Sequence, residues 1–142
     1  MSWYQKEISL RARPRGFHLV SEEILIQLPE IKKIKIGLMH ILIKHTSASI
    51  TLNENYDSDV RSDMEKYFTK TVKEKEPWYD HNSEGPDDMP AHIKSTLIGN
   101  SLTIPISNGE LNLGTWQGIY LCEHRNHGGS RKLVITIFGD ER

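Results

Sequence analysis

The stretch Ile34 to Lys44 sets the tightest bound on what this chain can become. Its apolar residues fall on both strand parities, Ile34, Ile36, Leu38 and Leu42 on one side and Met39, Ile41 and Ile43 on the other. A strand that is apolar on both sides belongs in the middle of a sheet covered on both faces. The rest of the pattern supplies its neighbours. Alternation around Ile8 and Leu10 predicts a strand over residues 3 to 11, ended by the turn Pro14-Arg15-Gly16. Ser21, Glu22 and Glu23 ahead of Ile24, Leu25 and Leu28 predict a short helix that Pro29 stops. Ile50 and Leu52 extend a further strand to Asn53-Glu54-Asn55. Asp57 then caps a helix on which Val60, Met64, Tyr67 or Phe68 and Val72 recur at helical spacing. A second helix starts at Asp87-Asp88, carries the stripe Met89, Ile93 and Leu97, and ends at Gly99.

The final third is β. Leu102, Ile104 and Ile106 alternate, Asn108-Gly109 marks a hairpin, and Leu111 and Leu113 alternate again. Two more strands fit 116 to 125 and 131 to 138, joined at the Gly128-Gly129 bend. Strands and helices interleave without regular βαβ units, and the last connections are short. The expected class is α+β: one domain over residues 1 to 142, with a mixed or mostly antiparallel sheet and about three helices. Such a sheet leaves a face or edge that a partner subunit can bury.

Composition narrows the function. Lys+Arg number 18 against Asp+Glu 19, a net charge of -1, which gives no general attraction to nucleic acid or anionic lipid. Neither partner is expected. Cys122 is the only cysteine, so an internal disulfide and a cysteine-based zinc site are excluded. No apolar run reads as a leader or a membrane span, and the expected setting is the cytoplasm.

Seven histidines invite metal or acid-base chemistry. Parity puts His40 among apolar neighbours as a core imidazole, His18 and His81 sit in turn or loop contexts without evident partners, and His124 and His127 flank a strand end as solvated imidazoles. His45 differs, because it ends the central strand just before Thr46 and Ser47. His92 differs too: it follows Asp88 by four residues, which on a helix puts carboxylate and imidazole on one face. Asp88 reads equally as a helix cap. Two imidazoles and a carboxylate suit zinc or a similar cation with open positions, which makes His45 and His92 the expected metal ligands. The loop 74 to 87 has no usable period, and loops of that length in compact domains are functional or mobile.

Gly114-Thr115-Trp116-Gln117-Gly118 combines an aromatic plane, a hydroxyl and an amide that suit a planar ring, and equally suit a buried Trp closing a turn. Glu123 and Arg125 share parity with Gln117 and read either as site residues or as a surface ion pair, while Arg131 beside the glycine bend offers a guanidinium to phosphate. Gln117 and Glu123 are six residues apart, roughly 20 Å along a strand. One small reactive centre cannot touch both, so either the strand bends near Gly118 or a second subunit supplies one end, and a site at a subunit interface is the expected arrangement.

In this order and spacing, His45-Thr46-Ser47-Ala48-Ser49, Asn53-Glu54-Asn55, Asp87-Asp88-Met89-Pro90-Ala91-His92-Ile93-Lys94, Gly114-Thr115-Trp116-Gln117-Gly118 and Glu123-His124-Arg125 resemble the YjbQ family, often called secondary thiamine-phosphate synthase enzymes. The resemblance implies a homotrimer with these motifs in clefts near subunit contacts. It also implies a weak coupling of a pyrimidine methyl diphosphate to a thiazole phosphate with loss of diphosphate. In that reading Gly114, Thr115, Trp116 and Gln117 serve the ring, with Thr46, Ser47 and Asn53 in the same substrate-binding set. Lys94, Arg125 and Arg131 serve the phosphates, and His45, Asp88, His92 and Glu123 handle protons or a divalent metal, magnesium for the synthase reaction or a zinc-like ion at the histidines. Dedicated synthases resemble (β/α)₈ barrels of about 250 residues, so this chain is no shortened copy. The alternatives are a metal-dependent hydrolase of a small phosphorylated metabolite and a non-catalytic trimeric binder of a small anion.

Overall fold

The computed structural model describes residues 1–142. The doubly apolar stretch forms β3 (Ile34–Ile43), the central strand of a five-stranded antiparallel sheet. On one side β3 pairs with β8 (Arg131–Glu141), which in turn pairs with β1 (Ser2–Leu10). On the other it pairs with β5 (Ser101–Ser107), which turns through Asn108 and Gly109 into β6 (Glu110–Leu111). Both turn residues have positive φ, 50 and 81, the geometry that made this dipeptide legible as a hairpin.

The other strands form a sheet of their own, in the order β2 (Gly16–Leu19), β7 (Gln117–Glu123), β4 (Ala48–Glu54), again antiparallel. Strand β2 is absent from the sequence reading, which stops at the Pro14-Arg15-Gly16 turn, because four residues are too few to show a period. The inner faces of the two sheets share one core in which Met39, Ile41, Ile50, Ile104, Leu121, Leu133 and Ile135 are all buried. The short helix α1 (Ser21–Leu25) and a 3₁₀ turn over Pro29–Lys33 close one end with Ile24 and Ile31. Helix α2 (Ser58–Thr71), capped by an Asp57 carboxylate that accepts the Asp59 N–H at 2.8 Å, covers the outer face of the smaller sheet. There Met64 and Phe68 meet Phe17, Tyr120 and Cys122. Helix α3 (Asp88–Ile98) packs beside β4 and ends at Gly99, whose φ of 109 suits glycine.

In the single chain the central strand is covered on one face only. Met39, Ile41 and Ile43 point into the core, whereas Ile36, Leu38 and Leu42 are 65%, 48% and 38% exposed. Trp3 lies on the same outer face against Phe138, with ring centroids 4.0 Å apart. His40, expected in the core by parity, therefore projects from the open face. Ile34 escapes this fate because a bulge between Ile34 and Ile36 resets the alternation and turns it inward. At that bulge β3 and β8 approach so closely that a side chain on Gly37 would clash with the Phe138 carbonyl.

Candidate metal centre

The first turn of α3 begins with two aspartates that take different routes. The Asp87 carboxylate accepts from Arg125 Nε at 3.0 Å and from the Asn126 N–H at 2.9 Å. Asp88, only 2% exposed, does not cap its helix. Its Oδ1 accepts from Arg125 Nη1 at 2.5 Å, while Oδ2 faces His81 Nε2 at 2.6 Å and His92 Nε2 at 3.2 Å. Burial pushes the Asp88 carboxyl up, but the His81 hydrogen bond and the Arg125 charge outweigh it and hold the group below the usual carboxylate range.

His81, Asp88 and His92 thus bring one ligand atom each to within 4.8 Å of one another, a group able to hold a metal ion. The donor set fits such an ion. His92 Nδ1 lies 2.9 Å from the Thr46 carbonyl, which can only accept, so Nδ1 carries a proton and Nε2 is the nitrogen turned toward Asp88. A lone pair aimed at an anionic oxygen 3.2 Å away is repulsive unless a proton or a cation stands between them. The Thr46 carbonyl is the kind of outer partner that fixes the tautomer and direction of a ligating histidine. Two imidazole nitrogens and one carboxylate oxygen suit a transition ion better than magnesium, which prefers oxygen. Three protein ligands also leave coordination positions open.

Across the strand ends from this trio lies a buried ion pair. Glu123, fully buried, receives Arg131 Nε at 2.7 Å and Arg131 Nη2 at 2.5 Å, and Nη2 reaches on to the Ser47 carbonyl at 3.2 Å and hydroxyl at 3.1 Å. Beside it Ser49 Oγ lies 2.9 Å from His124 Nε2. His124 is no surface imidazole: it is 1% exposed, and burial with the nearby Lys94 charge lowers its pKa to about 3, which keeps the ring neutral.

The chain that carries this site matches a known family. The model for the UPF0047 protein YjbQ-like family covers residues 6–140. The chain belongs to the YjbQ family. It is 54% identical to the UPF0047 protein YjbQ of Escherichia coli O157:H7 over 97% of this chain and 99% of that one, and equally so to its Salmonella typhimurium counterpart. A YjbQ/UPF0047-family crystal structure from Clostridium acetobutylicum superposes with a TM-score of 0.81 at 34% identity, covering 94% and 99% of the two chains. A hypothetical protein from Aeropyrum pernix K1 gives 0.84 at 25% identity, covering 96% and 99%.

Within this YjbQ-family chain the predicted residues separate into groups. His45 is not the second imidazole of the trio, a correction with a simple cause: its Nε2 accepts the Lys132 N–H at 2.8 Å, which ties the ring to β8. Burial, then the Arg131 charge, lowers its pKa. The second imidazole is His81, and a signal for it existed in the sequence. It sits in the long loop leading directly into the Asp88-to-His92 turn, where a third ligand could come back. Arg125 pairs with Asp87 and Asp88 rather than with Glu123, whose side chain instead accepts the Arg125 backbone N–H at 3.1 Å. Arg131 is 4% exposed and held by Glu123, and Lys94, two residues past His92, is 1% exposed on the opposite side of α3. Neither reaches the trio's mouth.

The remaining group lies at the far end of β7, with Gln117 opposite Glu54 while Glu123 stands opposite Ala48. The strand is unbroken, so roughly 20 Å separate its ends. There Asn55 Nδ2 donates to the Thr115 carbonyl at 3.2 Å and the Gln117 carbonyl at 3.1 Å, and Gln117 Oε1 accepts the Gly114 N–H at 2.8 Å. Asn53 Oδ1 accepts the Glu54 N–H at 2.7 Å. Trp116 is 59% exposed and meets Tyr56 edge-on at 5.5 Å, so it does not close the turn as a buried plug. A cleft of about 510 Å³ opens beside His81 instead, walled by Lys75, Tyr79, Asn82, Pro86 and Met89.

Proposed function

We propose that this chain is a metal-dependent enzyme acting on a small phosphorylated molecule, with His81, Asp88 and His92 holding a divalent transition ion. The observation that carries the reading is the convergence of two imidazole nitrogens on one buried carboxylate oxygen, at 2.6 and 3.2 Å, with the other oxygen fixed by Arg125. His81, Asp88 and His92 would hold the ion, which would supply Lewis acidity toward a phosphoryl oxygen or water near neutral pH. The chain's own residues set the stage. The Thr46 carbonyl aims His92, the Arg125 guanidinium aims Asp88, and the 510 Å³ cleft beside His81 falls in the size range of small-metabolite sites. Lys75 on its wall supplies a cation for an anionic substrate.

The synthase reading of the family resemblance needs an aromatic platform as well. Trp116 and Tyr56 present one, but at the opposite end of β7 from the trio. That reading therefore rests on a neighbouring subunit, and the open apolar face of Trp3, Ile36, Leu38 and Leu42 favours such an assembly. A homotrimer buries this face. Leu38→Lys, with a charge in its middle, is expected to yield monomers in sedimentation equilibrium. Wild-type protein that sediments as a monomer removes the assembly and the synthase reading with it.

The function itself is tested by loading metal-free protein with zinc, manganese or magnesium and following phosphate and diphosphate release from a panel of phosphorylated metabolites. The same samples are given a pyrimidine methyl diphosphate with a thiazole phosphate. Turnover with a transition ion that His92→Ala loses, while its melting temperature holds, is the expected result. Binding without any product in every metal would make the protein a binder.

A further inference from the structure

A second carboxylate stands at the edge of the metal trio. Glu84 Oε2 lies 3.6 Å from His81 Nε2, the same nitrogen that faces Asp88 Oδ2 at 2.6 Å. Two ligand atoms bound to one tetrahedral ion at about 2.1 Å each stand about 3.4 Å apart. The separations of 2.6 and 3.2 Å from Asp88 to the histidines, and of 3.6 Å from Glu84 to His81, bracket that spacing. Glu84 also comes within hydrogen-bond reach of the Asp88 carboxyl. Carboxylates that close repel unless a proton or a cation joins them.

Glu84 is mounted differently from the trio. Its backbone carbonyl accepts from Arg125 Nη2 at 3.0 Å, and the same guanidinium grips Asp88 Oδ1. The backbone of residue 84 is thereby fixed relative to Asp88. Its side chain, in contrast, is 63% exposed, whereas that of Asp88 is buried. Glu84 is not one of the three residues that converge, and its carboxylate has room to turn toward them. A tethered backbone with a free carboxylate suits a ligand that comes and goes.

We infer that Glu84 is a fourth, displaceable ligand of the ion held by His81, Asp88 and His92, and that an oxyanion of the substrate takes its place. The role depends on the metal centre proposed for the trio and adds what covers its open position before substrate arrives. With Glu84 bound, the ion has four protein ligands, the arrangement of a closed site. When a phosphoryl oxygen binds, the Glu84 carboxylate returns to solvent and the other three ligands stay. A neutral ligand cannot replace the charge it displaces, so the exchange favours phosphorylated substrates over the corresponding alcohols. The exchange also ties two affinities together. If Glu84 strengthens the hold on the metal about tenfold, the position is open about a tenth of the time, and the apparent affinity for an anion falls by that factor. Removing the side chain reverses both.

The test loads metal-free wild type and Glu84→Ala with cobalt, whose visible absorption reports the ligands around it, and titrates each with inorganic phosphate. Alanine keeps the backbone carbonyl that Arg125 holds, and an exposed position costs the fold little. Glu84→Ala is expected to bind cobalt about tenfold more weakly and phosphate about tenfold more tightly. The two cobalt spectra should differ before phosphate and coincide once phosphate saturates both, because Glu84 is then displaced. Spectra that coincide from the start, with affinity changes that high salt removes, would reduce Glu84 to a nearby charge and overturn its ligation. So would saturated spectra that stay different, or weaker binding of cobalt and phosphate alike. A wild type that binds no cobalt overturns the metal centre and Glu84 with it, whereas equal cobalt affinity in wild type and Glu84→Ala overturns the fourth ligand alone.

Discussion

Asp88→Asn is expected to weaken zinc binding at least 100-fold, read by competition with a chromogenic chelator, while leaving the fold intact. Loss of an outer partner alone costs roughly 10 to 100-fold in metal affinity, so loss of a direct anionic ligand sets that range as a floor. The amide keeps the shape of the side chain but not its charge, and His81 and His92 are left converging on a neutral group. The fold is spared because Arg125 retains Asp87 and the Glu84 carbonyl at 3.0 Å. His45→Ala provides the contrast. With its Nε2 already accepting from Lys132, it should leave zinc affinity within a few-fold of wild type, whereas His81→Ala should not. If His45→Ala proves as damaging as His81→Ala, the assignment of the ligands is wrong.

That contrast marks the edge of what the sequence could convey. Segments whose packing demands a period were readable: β3, β8, the Asn108-Gly109 hairpin, α2 with its Asp57 cap, and α3 from Asp88 to Gly99. Division of the strands into two sheets was not, because β7 and β8 are neighbours in sequence joined by a short bend, and nothing local says that they part. The apolar residues of β3 gave the right elements and the wrong covering. Both parities were apolar, as for a strand buried on two sides, but the chain has no element left to lay over Ile36 and Leu38. Asp88 and His92 were legible because four residues on a helix fix a geometry. His81 had only its place in the loop ahead of α3 to mark it; a loop has no period, and only the folded course of residues 74 to 87 returns it to the helix. Glu123, His124 and Arg131 looked like surface chemistry at a strand end; their burial goes with long-range contacts to Ser47 and Ser49 that no local pattern announces.

Burial at that strand end leads to the largest expected change in stability. Glu123→Ala leaves the Arg131 guanidinium, 4% exposed, with only the Ser47 carbonyl and hydroxyl as acceptors. Removing one partner of a buried pair costs about 3–5 kcal/mol, because the remaining charge stays desolvated. For a chain of this size that corresponds to a fall in melting temperature of roughly 10 °C or more. Replacing both residues, Glu123→Leu with Arg131→Met, removes the stranded charge and should recover most of the loss. The pair also reaches the metal centre. Arg131 holds Ser47, the preceding Thr46 carbonyl accepts from His92 Nδ1, and so a broken pair loosens the contact that fixes the His92 tautomer. Glu123→Ala should therefore weaken zinc binding as an outer-partner change does, about 10 to 100-fold, even below its own melting transition. Calorimetry and zinc titration on the single and double variants separate this from a proton-transfer role. A Glu123→Ala protein that melts like wild type and binds zinc normally, yet has lost turnover, would make Glu123 a reacting group and the structural account of it untenable.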